Sequence, residues 1–172
     1  QGAIKDCSKV IKLDPKNKTA YLFRGQSKAA LFNFRGAIDE DFSKVIKLDP
    51  KNKTAYLFRG LAKYDLEDYK GAIKDCSKVI KLDPQNGEAY SYRGLAKRYL
   101  EDDQGAIEDY SKVIELDPSC NEAYFNRGLA KYDLEDYQGA IEDYTKVIVE
   151  DPKDVSTFFL RGDARYDLED YQ

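Results

Sequence analysis

The side chains best equipped for chemistry in this sequence are its 32 Asp and Glu residues, three of them consecutive at Glu101-Asp102-Asp103. Carboxylates at that density could share a proton for acid/base work or gather a calcium ion. Both uses need a convergent pocket, and these carboxylates fall on the helix surfaces and turns of the pattern set out below. With no histidine there is no imidazole base or imidazole metal ligand. Cys7, Cys76 and Cys120 are too few and too scattered for a disulfide framework or a zinc site. No Walker loop, Cys-x-x-Cys pair or nucleophile elbow occurs. The sequence predicts a chain without catalysis, cofactor or metal.

What does recur is a pairing of opposite charges. Arg24, Arg59, Arg93, Arg127 and Arg161 each precede a glycine, and Asp6, Asp41, Asp75, Asp109 and Asp143 each precede a cysteine or aromatic position. These rows predict a ladder of interhelical ion pairs, which fix register more than they add stability. Two exposed and unrelated rows are the alternative.

The elements that must carry these rows follow from repetition. Ser8 to Gly25 and Ser43 to Gly60 are identical, and prolines at 15, 50, 84, 118 and 152 are spaced 35, 34, 34 and 34 apart. A period near 34 marks a helical solenoid, whose units bury their apolar faces by stacking. In the unit Thr54 to Pro84, Thr54 is expected to cap a first helix bearing Ala55, Tyr56, Ala62 and Leu66. Glu67-Asp68 makes the turn, and a second helix runs from Tyr69 with Ala72, Ile73, Cys76, Val79, Ile80 and Leu82 on one stripe. Pro84 lacks the N–H to continue it. Glycine costs a helix about 1 kcal/mol relative to Ala, so its return at 25, 60, 94, 128 and 162 predicts a close approach of another helix backbone. The expectation is one array over 1–172: a second helix at 1–15, full units at 16–50, 51–84, 85–118 and 119–152, and a first helix at 153–172.

Two irregularities bear on this reading. One extra residue in GAIDEDFSKV, against GAIKDCSKV, gives the step of 35. Inside a helix it rotates what precedes it by about 100°, so a π-bulge near Asp39 to Asp41 or a shifted helix start is predicted, the bulge being favoured. KYDLEDY at 63 and 131 becomes KRYLEDD at 97, where Asp103 replaces an aromatic, and this turn is expected to be the most loosely pinned.

The order Tyr56, Gly60, Ala72, Cys76, Val79, Pro84 resembles the tetratricopeptide repeat, and the resemblance covers the whole chain in five registers. It implies an all-α, right-handed α–α superhelix of antiparallel helix pairs, with a concave groove for peptides or protein segments. Arginine before the glycine, and Lys28, Lys63, Lys97, Lys131 and Arg165 after it, depart from the family pattern. By this resemblance the first helices line the groove, through Leu22, Gln26, Leu57, Leu61, Tyr64, Leu95, Arg98, Phe125, Leu129, Tyr132, Phe159 and Tyr166. They suit an amphipathic helix or an extended apolar peptide. Relatives that bind chaperone tails clamp a terminal carboxylate with Lys and Asn; the matching positions here read Leu22, Gln26, Phe58, Glu88 and Tyr92, so no such ligand is expected.

Charge and ends supply other expectations. Residues 1–86 carry 18 Lys and Arg against 11 Asp and Glu, and residues 87–172 carry 10 against 21. Complementary halves, and LEDYQ meeting GAI when ends are joined, predict head-to-tail self-assembly as the runner-up to a protein-interaction scaffold. An RNA-binding solenoid is a distant third, disfavoured by a pI of 5.1. The chain has no Met, even at its start, and reads as an internal segment without a secretory signal. No apolar run approaches membrane-spanning length. Cys7 and Cys76 are expected to be buried and Cys120 exposed, all as thiols in a reducing, cytoplasmic setting. Asn17-Lys18-Thr19 and Asn52-Lys53-Thr54 match the glycosylation pattern and are read as structural.

Overall fold

Each apolar stripe found in the sequence is a helix face in the computed structural model, which describes residues 1–169. Tyr171 and Gln172, to which the end-joining expectation appeals, lie outside the described residues. All regular elements among those residues are helical. They are α1 (Gly2–Leu13), α2 (Lys18–Ala29), α3 (three consecutive segments, Phe34–Gly36, Ala37–Phe42 and Ser43–Leu48), α4 (Lys53–Asp65) and α5 (Tyr69–Leu82). They continue as α6 (Gly87–Arg98), α7 (Asp103–Leu116), α8 (Asn121–Asp133), α9 (Tyr137–Glu150) and α10 (Val155–Asp167). Their contacts gather into two units, Gln1–Tyr92 and a second that begins at Arg93. In the first, α2 packs on α1 and α3, and α4 on α3 and α5; in the second, α8 packs on α7 and α9, and α9 on α10.

The caps explain where each helix starts and stops. Thr54 does not cap α4: the Asn52 side chain does, accepting from the Ala55 N–H at 2.9 Å, as Asn17 does for Ala20. Asparagine's carboxamide oxygen reaches the third orphan N–H more readily than the expected threonine, which lies one residue inside the helix. Both glycosylation-pattern asparagines are thus helix caps. The second helices end at the expected Asp-Pro stops, α5 at Leu82. Between paired helices, Glu67 takes a left-handed φ of 61°, its N–H donating to Tyr64 O and that of Asp68 to Lys63 O. This is the Schellman arrangement, with glutamate where glycine is usual. Asp68 then caps α5 by accepting from Gly71 N–H. The turn at 101–102 makes the same bonds, Glu101 to Arg98 O and Asp102 to Lys97 O. Arg98 stands 3.7 Å from Asp103 where Tyr64 meets Tyr69 edge-on. An ion pair therefore replaces the aromatic pair whose loss was expected to loosen this turn.

The extra residue is absorbed as one π-helical stretch, Ala37–Phe42. Widening the turn keeps both flanks on the core face, since Ala37, Asp41 and Phe42 are all fully buried. Deleting Asp39, an exposed residue of that stretch, is expected to restore α-helical geometry. The expected stability change is under about 1 kcal/mol by urea unfolding, because no buried group is lost. A loss of several kcal/mol would show that the wide turn itself is needed.

The recurrent glycines lie under side chains rather than under a second backbone. A Cβ at Gly25 would sit 2.6 Å from the Phe42 ring, at Gly94 3.0 Å from the Tyr110 ring and at Gly128 2.6 Å from the Tyr144 ring. At Gly60 it would meet the Cys76 sulfur at 3.1 Å and the Ala72 carbonyl at 3.6 Å; at Gly162 nothing comes within 4 Å. The Cys/aromatic position of the second helix thus fills the notch at Gly25, Gly60, Gly94 and Gly128. Cys76 is buried, whereas Cys7 in α1 and Cys120, beside the start of α8, are half-buried.

Candidate functional site

The charged rows meet inside each helix pair. Arg24 Nη2 lies 2.7 Å from Asp41, Arg59 Nη2 2.8 Å from Asp75, and Arg127 Nη2 2.7 Å from Asp143; Arg93 pairs likewise with Asp109. Arg59 and Arg127 are bidentate, each also donating from Nε at 2.8 Å. These four aspartates are almost wholly buried. Each takes a second cation, Lys28, Lys63, Lys97 or Lys131, at 2.8–2.9 Å. The hydrogen bond from Arg59 to Asp75 holds the guanidinium pKa above its usual value against desolvation, and Arg127 behaves alike beside Asp143.

Two of the ten expected ladder residues are not so paired. Asp6 is exposed and lies 3.6 Å from Lys9 on its own helix. Arg161 donates to Thr145 Oγ1 at 3.1 Å and stacks on Phe158 at 5.3 Å. Neither opposing helix, a first helix for Asp6 or a second for Arg161, is among the described residues. The sequence reading also missed two members of the rung. The lysines stand four residues after each arginine, one helical turn on, a signal that was present and not used. The other is a hydroxyl on the preceding second helix: Arg24 donates to Ser8, Arg59 to Ser43 and Arg127 to Ser111, at 3.0–3.2 Å. Each of these arginines therefore ties its own second helix to the one before it.

The rungs hold the first helices with their opposite face outward, and that face is the candidate binding surface. In the first unit Leu22, Gln26, Leu61 and Tyr64 are half-buried. Leu57 is only 8% exposed and belongs to the core with Cys76, Val79 and Ala89, so it is not a groove residue. Leu22 packs on buried Tyr21, Val45 and Ala55, Leu61 on the Leu57 cluster, and the Tyr64 ring meets Tyr92 edge-on at 5.8 Å.

In the second unit Leu95, Arg98, Phe125, Leu129 and Tyr132 are half-buried, while Phe159 and Tyr166 are 69% and 67% exposed. Leu95, Arg98, Tyr99 and Asn126 line a cavity of about 270 Å³, and Asn126 is buried, its Nδ2 donating to Glu122 O. Successive first helices are linked across this face. Arg98 Nη2 lies 2.9 Å from Asp133, and the Tyr132 hydroxyl donates to Asp167, which pushes the phenol pKa up to about 12. Asp133 and Asp167 went unremarked in the sequence, although each directly follows an expected face residue or its counterpart.

Among the described residues no three His, Cys, Asp or Glu side chains could hold a metal ion, and no helix is long and apolar enough to cross a membrane. What the arrangement provides is a half-buried apolar and aromatic surface above rungs of buried charge.

Comparison with known proteins agrees with this architecture. The tetratricopeptide repeat family model matches residues 54–86 and 122–154, and a TPR repeat model matches 96–134. A crystal structure of MamA protein superimposes with a TM-score of 0.85 at 29% identity, over 89% of this chain and 83% of that one. YrrB, described as a TPR protein with an unusual peptide-binding site, gives 0.86 at 21% over 96% and 85%. The first TPR of Spaghetti (RPAP3), bound to the HSP90 peptide SRMEEVD, gives 0.66 at 23% over 70% and 96%. At these last two identities the likeness is one of fold. No curated protein sequence matches the chain.

Proposed function

We propose that this chain, which belongs to the tetratricopeptide repeat family, is a non-enzymatic scaffold that binds a segment of a partner protein on the exposed face of its first helices. The observation that carries this is the half-buried row Leu95, Phe125, Leu129 and Tyr132, apolar surface too continuous for an ordinary solvated face. The buried rungs beneath it favour binding because a stiff surface loses little conformational entropy on contact. A peptide or helix lying along the row would bury these side chains. The chaperone-tail clamp stays absent, since Leu22, Gln26, Phe58, Glu88 and Tyr92 offer no cation for a carboxylate. A reducing, cytoplasmic setting fits three cysteines that are all free thiols.

The test is selection of a random dodecapeptide library on the chain, with Leu61→Asp and Phe125→Asp variants as counter-targets. Peptides that bind the parent and are lost on either folded variant support the reading; peptides held equally by all three would place binding elsewhere.

A second reading, head-to-tail self-assembly, is favoured by the complementarity of α1 and α10. Residues 2–13 repeat 71–82 letter for letter, and 71–82 is the segment that covers Gly60 and gives Arg59 its aspartate. Among the described residues Asp6 has no arginine partner, Arg161 has no aspartate partner, and nothing comes within 4 Å of a Cβ at Gly162. Light scattering decides it: mass that grows with concentration and is abolished by Arg161→Asp supports assembly, and a constant monomer ends it.

A further inference from the structure

The two units differ in the charge of their first-helix faces. At the register of Thr19 and Thr54 each unit has one exposed glutamate, Glu88 in the first and Glu122 in the second; where the first has Gln26 and Leu61, the second has Leu95, Leu129 and Asp163. One turn further on the second unit has Tyr99, Asp133 and Asp167, the first Ala30 and Asp65. Arg98, which stands at the register of Tyr64 and Tyr132, is already taken by Asp133 and Asp103. Local pKa values carry the mark of unneutralised charge: the Tyr132 phenol is raised by its bond to Asp167 and by Asp163 beyond it, and Asp103 is raised by burial and by Asp133. Beside this stretch, Phe125 and Val147 line a cavity of about 300 Å³ together with Glu122, Asp151 and Asp154.

We infer that this face selects a cationic segment of another protein, one in which Lys or Arg alternates with apolar side chains. The inference rests on the groove reading above and names its partner class. Long basic side chains lay their methylene stems on apolar surface while the charged head stays solvated, so Phe125, Tyr132 and Phe159 suit the stems and Glu122, Asp163 and Asp167 the heads. Aromatic faces add cation–π attraction. The excess of 21 Asp and Glu over 10 Lys and Arg in residues 87–172 draws such a segment in and turns an acidic tail away.

The experiment uses three labelled, end-capped dodecapeptides: Leu and Lys in amphipathic order, and the same with Gln or Glu for Lys. Each is titrated against the whole chain by fluorescence anisotropy at about 50 mM and about 500 mM salt. The Lys peptide is expected to bind about tenfold tighter than the Gln peptide at low salt, and the Glu peptide more weakly than either. Asp163→Asn with Asp167→Asn is expected to close most of that gap by weakening the Lys peptide; exposed Glu122→Gln does the same in part if the double variant folds poorly. Equal binding of Lys and Gln peptides, both lost on Phe125→Ala with Leu129→Ala, overturns the cationic preference and keeps the groove. Failure of all three peptides to bind, or Lys-peptide binding that survives every variant, overturns both. A protein mass that rises with concentration and falls on Asp163→Asn with Asp167→Asn would instead assign the face to the basic residues of a second copy.

Discussion

Asp75→Ala is expected to lower the unfolding free energy by about 3–5 kcal/mol, the cost of stranding buried cations without their counter-charge. Asp75 is 1% exposed and receives both Arg59 and Lys63 at 2.8 Å, so its removal leaves two cations at a buried helix crossing without their counter-charge, Arg59 keeping only the neutral Ser43 hydroxyl and the Tyr56 ring. Replacing Arg59, Lys63 and Asp75 together by leucines is expected to be near neutral or stabilising, because the desolvation of three charges disappears with them. Arg59→Leu alone falls between, since Lys63 still satisfies Asp75. Urea unfolding of the three variants checks the set. A loss below about 1 kcal/mol for Asp75→Ala would mean that the rung behaves as a solvated surface pair.

Gly128→Leu is expected to cost several kcal/mol, at or above the upper end of the usual overpacking range of about 1–3 kcal/mol. Its Cβ alone would stand 2.6 Å from the ring of Tyr144, which is fully buried and leans on Phe125 at 6.4 Å. The ring has nowhere to retreat. At Gly60 the neighbour is the smaller Cys76, so Gly60→Ala is expected to be tolerated, while Gly60→Leu, reaching past the sulfur to the Ala72 carbonyl, destabilises. Gly162→Ala, in open space, gains helix propensity of about 1 kcal/mol. Thermal melts in which Gly128→Leu and Gly162→Ala behave alike would contradict this ordering.

The period near 34, the Asp-Pro stops and the alternation of long and short elements fixed the helices in advance, because each depends on local backbone chemistry. The wide turn at Ala37–Phe42 was also legible, since one surplus residue between two core-facing stretches leaves few ways to keep both inward. Partners across a crossing were harder. Arginine and aspartate announced each other by repeating in step, yet the serine on the previous second helix did not, because serine is common at exposed helix positions and carries no charge to match. Leu57 shows the limit for the candidate surface: Leu22 and Phe125 at the same register are half-buried, and only three-dimensional packing against Val79 and Ala89 puts it out of reach. The capping asparagines were misassigned to Thr54 because N-cap preferences rank both residues well and differ by geometry alone.

The arginine bracket bears on how such a chain can change length. Each bracket uses its own aspartate, its own lysine and the hydroxyl of the previous second helix, Ser8 for Arg24 and Ser43 for Arg59. Because Ser8 to Gly25 and Ser43 to Gly60 are the same eighteen residues, recombination within that block can excise or duplicate a whole unit and leave the bracket at the junction complete. Copy number is then a heritable variable that selection can tune without stranding a buried charge.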